Sequence, residues 1–270
     1  MMADWNLNLY LDRVHSTLNV DAIQGFLHSL GLEPQVKGDF FDVNRVDMDE
    51  VSAALAGVRV RDLNLEDSLN ISPAETDVSQ EKTLLKSNEP IELERDRSNI
   101  YSGFHLAEVL RRYVGSGLHI IFTSRLPATF EGTRYHGRVI VADFPLAIIS
   151  TTGVVEAPAR QREYYITQAA YHRAQHAGLQ VPEEREFMQE LEDRFKEGFI
   201  GYDDLRMTDV VKGYTLQAAF YLLFGEAFCE SPGCMLFNAH TQAEMIHAQI
   251  ESGRLCKRHQ TMLEAHFSCM

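Results

Sequence analysis

The chain has 270 residues, 45% of them hydrophobic and 10% aromatic, enough for one large domain with a sizeable core. Its formal net charge of −14, from 39 acidic and 25 basic residues, excludes a general nucleic-acid surface, which needs clustered Lys and Arg. No apolar run approaches the roughly 18 residues of a bilayer-spanning helix, and the longest, 216–224, reads as a buried helix. The opening MMADWNLNLYLD has no basic region followed by an apolar run, so the expectation is a cytoplasmic protein without membrane partners.

Residues 7–11 alternate as a strand does, and Asn19-Val-Asp21 opens an amphipathic helix that runs to Leu30 and stops at Gly31. A short strand follows over 34–37, then a helix over 48–56 and a strand over 58–62. Residues 62–96 carry ten acids against three bases, and the chain shows no steady period until about Asn99. That stretch reads as a solvated acidic loop or insertion. Order resumes with a helix over 101–113, a buried strand over 118–123 and another over 137–143. An apolar segment over 145–152 ends in Thr151-Thr152-Gly153 as turn material.

After Pro158 the pattern is helical, over 161–176, 183–196, 209–224, 242–252 and 257–267. Thr208 is the expected N-cap of the third of these helices, with Gly225 beyond its end. Thr241-Gln-Ala-Glu244 is a capping box for the fourth, which Gly253 stops. Mixed strands first and helices later predict an α+β fold with a mixed sheet. Its parts are a strand-helix-strand segment (1–62), the acidic insertion (63–99) and a core (100–270), making one domain overall.

Four cysteines without an export signal point to metal binding rather than disulfides. Three of them fall in two short-spaced pairs: Cys229-x4-Cys234, then 21 residues, then Cys256-x2-His259. Each short pair can present two ligands from one turn, and Pro232-Gly233 supplies the turn in the first. Four sulfur and nitrogen ligands close a tetrahedral site and leave no open position, so the expectation is one structural zinc. Cys269, His240, His247 and His266 compete with His259 for the fourth place.

The same region resembles the archaemetzincins, a family of zincin-fold metallopeptidases. Their signature is H-E-x-x-H-x-x-G-x-x-H-C, then x4-C-x-M, then C-x2-C. In this chain the register runs Ala218-Ala-Phe-Tyr-Leu222-Leu-Phe-Gly225-Glu-Ala-Phe228-Cys229, then Cys234-Met235, then Cys256-Lys-Arg-His259. The segment 148–158 also resembles uncharacterised archaeal relatives of that family. The resemblance implies a zincin-like fold whose zinc-stapled helical part lies C-terminally. It also implies that the three catalytic ligand positions are Ala218, Leu222 and Phe228, with Ala219 in place of the general base. Zincin chemistry needs two histidines one turn apart, a third ligand and a glutamate that takes a proton from bound water. None of the four side chains here can bind zinc or move a proton, so no catalytic residue is assigned.

Other candidates are plainer. Arg160 and Arg162, beside Tyr164 and Tyr165, could bind a carboxylate or phosphate through bidentate hydrogen bonds, against an exposed first helical turn as the alternative. Ser124-Arg125, after the strand ending at Thr123, could sit at a sheet edge. Glu226 reads as a surface carboxylate and His105 as a packing or surface histidine. No G-x-S-x-G elbow, Walker loop or dinucleotide-binding motif occurs. The functional expectation is a non-catalytic pseudopeptidase that binds a protein or peptide partner. The alternatives are a zinc-dependent hydrolase with a rearranged site and a structural subunit of a larger archaeal complex docking through the acidic segment.

Overall fold

The computed structural model describes residues 6–87, 89–92 and 99–268. The chain opens with β1 (Leu7–Asp12), α1 (Val20–Ser29) and β2 (Pro34–Asp39). The Asn19 side chain accepts from the Ala22 N–H and caps α1, as the sequence predicts. Two short helices follow, α2 (Phe40–Val43) and α3 (Met48–Gly57), capped by Asp39 and Asp47. The strand expected over 58–62 forms only isolated bridges, Arg59 with Tyr101 and Val60 with Leu69. The acidic stretch is more than a loop, because it holds the helix α4 (Glu75–Lys86). The reason its period was illegible is physical: its one fully buried residue is a charged one, Glu81.

Next come β3 (Ile100–Ser102), α5 (Gly103–Arg111), β4 (Leu118–Thr123), β5 (Leu126–Glu131), β6 (Arg134–Gly137), β7 (Ile140–Asp143), β8 (Leu146–Ser150) and α6 (Thr151–Glu156). The main sheet has the order β2-β1-β4-β8-β7, parallel except for the antiparallel edge strand β7. A small second sheet has the order β3-β5-β6. The strand expected over 137–143 is borne out as the shorter β7, while Gly137 is the last residue of β6, which belongs to the other sheet. Thr151-Thr152-Gly153 is likewise the first turn of α6 rather than a free turn. The Ser150 side chain caps it by accepting from the Gly153 N–H, and Thr152 Oγ1 donates to buried carbonyls of Ile91 and Ser124.

Parallel strands covered on both faces read as continuous apolar runs, and β4 and β8 are buried at every position. One sheet face, with Leu9, Ile120, Phe122 and Ile149, packs on α1 and on helices from the C-terminal half. The other, with Tyr10, Ile121 and Ile148, packs on α2, α3 and α5.

The C-terminal part contains α7 (Arg162–His176), α8 (Glu184–Phe195), α9 (Met207–Phe224), α10 (Gln242–Ile246), a π-helical turn (His247–Ser252) and α11 (Lys257–Ser268). α9 is apolar nearly all round, as a helix enclosed by its own protein must be. Thr208 is not its cap but lies inside its first turn. There its hydroxyl donates to the Thr17 carbonyl and accepts from the Asn19 N–H, tying α9 to the start of α1. Gly213 lets α9 and the π turn approach closely, since a Cβ there would meet Gln249 Oε1 at 1.4 Å. Gln249 cannot swing aside without giving up its hydrogen bond to the Met235 carbonyl. The capping box of Thr241 and Glu244 is present.

At the C-terminal ends of β1 and β4 lies a buried ionic network. Arg125 is fully buried; its Nε donates to Asp12 Oδ2 at 3.0 Å and its Nη1 to Glu81 Oε2 at 2.8 Å and to the Tyr101 hydroxyl at 2.7 Å. Arg59 donates to Glu81 Oε1 at 2.7 Å, Tyr101 donates to the same oxygen, and Thr123 Oγ1 donates to Asp12. Burial alone would raise both carboxyls, yet Arg125, with Arg13 beside Asp12 and Arg59 beside Glu81, holds them below the usual carboxylate range. The edge-of-sheet position that Ser124-Arg125 could have offered a ligand is not available: the guanidinium joins α4 to both sheets and does not reach solvent.

Candidate metal centre

Gly225 ends α9 in the left-handed region at φ 72°, a conformation that needs no Cβ, and the loop it releases carries Cys229 and Cys234. That loop is held by backbone bonds from Cys229 N–H to the Leu236 carbonyl and from Cys234 N–H to the Ser231 carbonyl. Met235 N–H donates to the Arg254 carbonyl, and Gln217 of α9 donates to the carbonyls of Met235 and Phe237. These ties bring the loop beside the start of α11, where Cys256 and His259 stand one turn apart.

The four side chains converge, their ligand atoms all within 4.8 Å of one another. Cys229 Sγ is 3.9 Å from Cys256 Sγ, and His259 Nδ1 is 3.5 Å from Cys234 Sγ and 3.1 Å from Cys256 Sγ. A tetrahedral ion with bonds of about 2.3 Å to sulfur and about 2.0 Å to nitrogen would set sulfurs roughly 3.8 Å apart and nitrogen roughly 3.5 Å from each sulfur. The residues fit such an ion. Backbone N–H groups of Ser231 and Cys256 point at Cys229 and Cys234 sulfur at 3.4 Å each, an arrangement that favours thiolates. His259 is fully buried with the Phe220 ring edge-on at 5.6 Å, so the cluster rests on α9. Glu226, expected at the surface, accepts from His259 Nε2 at 3.0 Å and is gripped by Arg258 at 2.7 Å.

The thiols are unequal. Burial pushes Cys234 up to about 12. Burial also opposes the charged form of Cys256, but hydrogen bonds from the His259 backbone and from the neighbouring ligands outweigh it and bring that thiol down to about 7. A cation among them would supply the charge that lets Cys234 ionise.

The other candidate ligands lie elsewhere. His247 pairs with Glu251 at 2.8 Å, the His266 ring packs edge-on against Phe224 at 5.3 Å, and His240 stands just before the capping box. Cys269 lies outside the described residues. Of the four positions that the sequence resemblance aligns with catalytic residues, Ala218 and Ala219 are fully buried and Leu222 is 5% exposed, while Phe228 is 46% exposed. Arg160 stacks on the Phe199 and Tyr164 rings and pairs with Glu192 at 3.2 Å, on the wall of a cavity of about 410 Å³ that none of the four metal-cluster residues lines. Arg162 is exposed in the first turn of α7, and His105 bonds to Ser102 at 2.8 Å.

The cluster thus gathers three sulfurs and one imidazole against the apolar α9. The chain belongs to the family described as "Probable metallopeptidase family (DUF6775)", whose sequence model matches residues 3–266. It is also similar to the solved archaemetzincin (amzA) from Methanopyrus kandleri, at 12% identity and a TM-score of 0.46, over 98% of this chain and 96% of that one. A zinc-dependent peptidase from Methanocorpusculum labreanum (strain Z) is similar at 14% identity and a TM-score of 0.40, over 96% and 100% of the two chains. A search of curated proteins finds no match. Among the described residues no helix is long and apolar enough to cross a membrane.

Proposed function

We propose that this chain is a non-catalytic member of its metallopeptidase family, stapled by one structural zinc and acting through a bound protein or peptide partner. The observation that carries this reading is the state of α9 and of the loop that leaves it. Ala218, Ala219, Leu222 and Phe228 offer no ligand and no base, and the first three are enclosed in the core. Cys229, Cys234, Cys256 and His259 would hold the zinc, which supplies a cross-link and, with all four positions filled, has none left for a water nucleophile. The residues do the mechanical part. Cys229 and Cys234 fix the loop leaving α9, Cys256 and His259 fix the start of α11, and His259 seats the joint on Phe220. Phe228, half exposed beside this joint, offers a partner an apolar handle. The acidic balance of the chain favours such a partner over nucleic acid.

Elemental analysis of the purified chain is expected to give about one zinc per molecule. Peptide-library assays with the zinc-loaded chain are expected to show no hydrolysis. Hydrolysis that a chelator abolishes while the chain stays folded would overturn the non-catalytic reading.

A further inference from the structure

The two ring nitrogens of His259 face different worlds. Nδ1 lies among the sulfurs, 3.1 Å from Cys256 and 3.5 Å from Cys234, whereas Nε2 lies 3.0 Å from Glu226 Oε1. A neutral imidazole carries one proton, and only the nitrogen without it can bind a metal. A carboxylate can only accept, so its position against Nε2 puts the proton there and turns the Nδ1 lone pair toward the cluster.

Glu226 is placed for this by the chain itself. It follows Gly225, whose left-handed turn ends α9, and its carboxylate is fixed from the far side by Arg258, at 2.7 Å to Oε1 and 2.8 Å to Oε2. The Glu226 side chain is 27% exposed, while the imidazole it contacts is fully buried. Arg258 and His259 are neighbours in the first turn of α11, so one carboxylate grips that turn at two consecutive residues.

The pattern also explains why a carboxylate is wanted here. A cysteine ligand has one sulfur and needs no partner to choose its binding atom, whereas a histidine must have its tautomer and ring plane chosen. Only one of the four cluster residues is a histidine, and it is the one that meets a carboxylate.

We propose that Glu226 is a positioning residue for the metal: by accepting a hydrogen bond from the Nε2–H of His259 it selects the tautomer whose Nδ1 completes the Cys229, Cys234 and Cys256 set. This rests on the reading above that those four residues hold one zinc. The carboxylate touches no metal, and it acts only through the imidazole.

The test is a double-mutant cycle read as zinc affinity, by competition against a chromophoric chelator on the full-length chain. Glu226→Ala is expected to weaken zinc binding about 10–100-fold, with Glu226→Gln, which keeps a neutral acceptor, losing less. In a His259→Cys background, where no imidazole remains to be oriented, Glu226→Ala is expected to change affinity less than twofold. Tight binding by Glu226→Ala in the native background would overturn the proposal, as would an equal loss in both backgrounds. If the cysteine background does not fold, nitrogen-15 spectra of the zinc-loaded native chain still decide. They are expected to show the His259 proton on Nε2, and a proton on Nδ1 would sink the idea. A native chain that binds no zinc would instead refute the reading on which the proposal rests.

Discussion

Two buried polar assemblies hold this molecule together, and they differ in what completes them. The ionic network around Arg125 takes its charge partners from the chain itself: Asp12 and Glu81 supply the opposite charges, and Arg59 and Tyr101 add hydrogen bonds, at 2.5–3.0 Å, with Arg125 Nη2 left without a hydrogen-bond partner among the described residues. The cluster around Cys234 is not finished in the same sense, because its three sulfurs and one imidazole have the geometry of a set of donors that wants a cation at the centre. One region is stabilised by residues far apart in sequence meeting on folding, the other, on the function proposed above, by a bound metal. The first should therefore answer to mutation and the second to solution conditions as well.

The sharpest way to break that contrast is to remove the metal or one of its ligands. Structural zinc sites have apparent binding energies of about 10–16 kcal/mol in small domains, so this is the largest effect expected. Cys234→Ser should lose zinc and loosen the segment from Cys229 through α11, read as faster amide hydrogen exchange there than in β4 and β8. A strong chelator should do the same to the native chain. Unchanged exchange in both experiments would mean that the cluster is merely a set of packed thiols.

Next in size is Arg125→Met, which leaves Asp12 and Glu81 buried with a charge too few. Removing one partner from a buried ion pair costs about 3–5 kcal/mol. Denaturant melts should show that loss, and show it equally with zinc present and stripped. A loss that disappears on chelation would mean that the two regions are one cooperative unit.

The smallest effect concerns acid. Burial pulls His15 down to about 4, beneath its ordinary value of 6.5, while its Nδ1 bonds to Thr151 Oγ1 at 2.8 Å. A histidine depressed in the fold is more easily protonated when unfolded, so its contribution is whole above about pH 6.5 and falls away between there and pH 4. A shift of this size corresponds to about 3 kcal/mol at most. His15→Asn should flatten that part of the stability curve relative to the native chain, and the difference between the two curves removes the acid release of zinc common to both. Parallel curves would show that His15 is not the group responsible. The carboxyls of Asp12 and Glu81, held below their ordinary values, act lower, losing their stabilisation only below about pH 4.

The two assemblies also differ in how far the sequence exposes them. Short-range devices are legible: Asn19 and Thr241 as caps, Gly225 and Gly253 as stops, and the Cys229, Cys234, Cys256 and His259 spacings all carry their chemistry within a few residues of chain. The buried strands β4 and β8 show themselves as unbroken apolar runs. The ionic network is illegible for the opposite reason. Arg125 meets Asp12 across 113 positions and Glu81 across 44, and a charged residue in a polar stretch looks like any solvated one. α4 was hidden for the same cause. Glu226 reads as a surface group in the sequence because nothing local ties it to a residue 33 positions away. The break between β6 and β7 is likewise tertiary, decided by which sheet each strand joins.

The enclosure of α9 bears on whether this helix can accept larger polar side chains. A histidine at 218 or a glutamate at 219 would add several heavy atoms where the present side chains have no exposed surface at all. Overfilling a packed interior typically costs about 1–3 kcal/mol per site and forces neighbours off their rotamers. A chain acquiring those side chains one at a time would thus lose stability at each step before a set of ligands was complete. The small residues on this helix work as a latch: with Ala218 and Ala219 in place the packing is closed, and any route to a metal-binding face runs through the core.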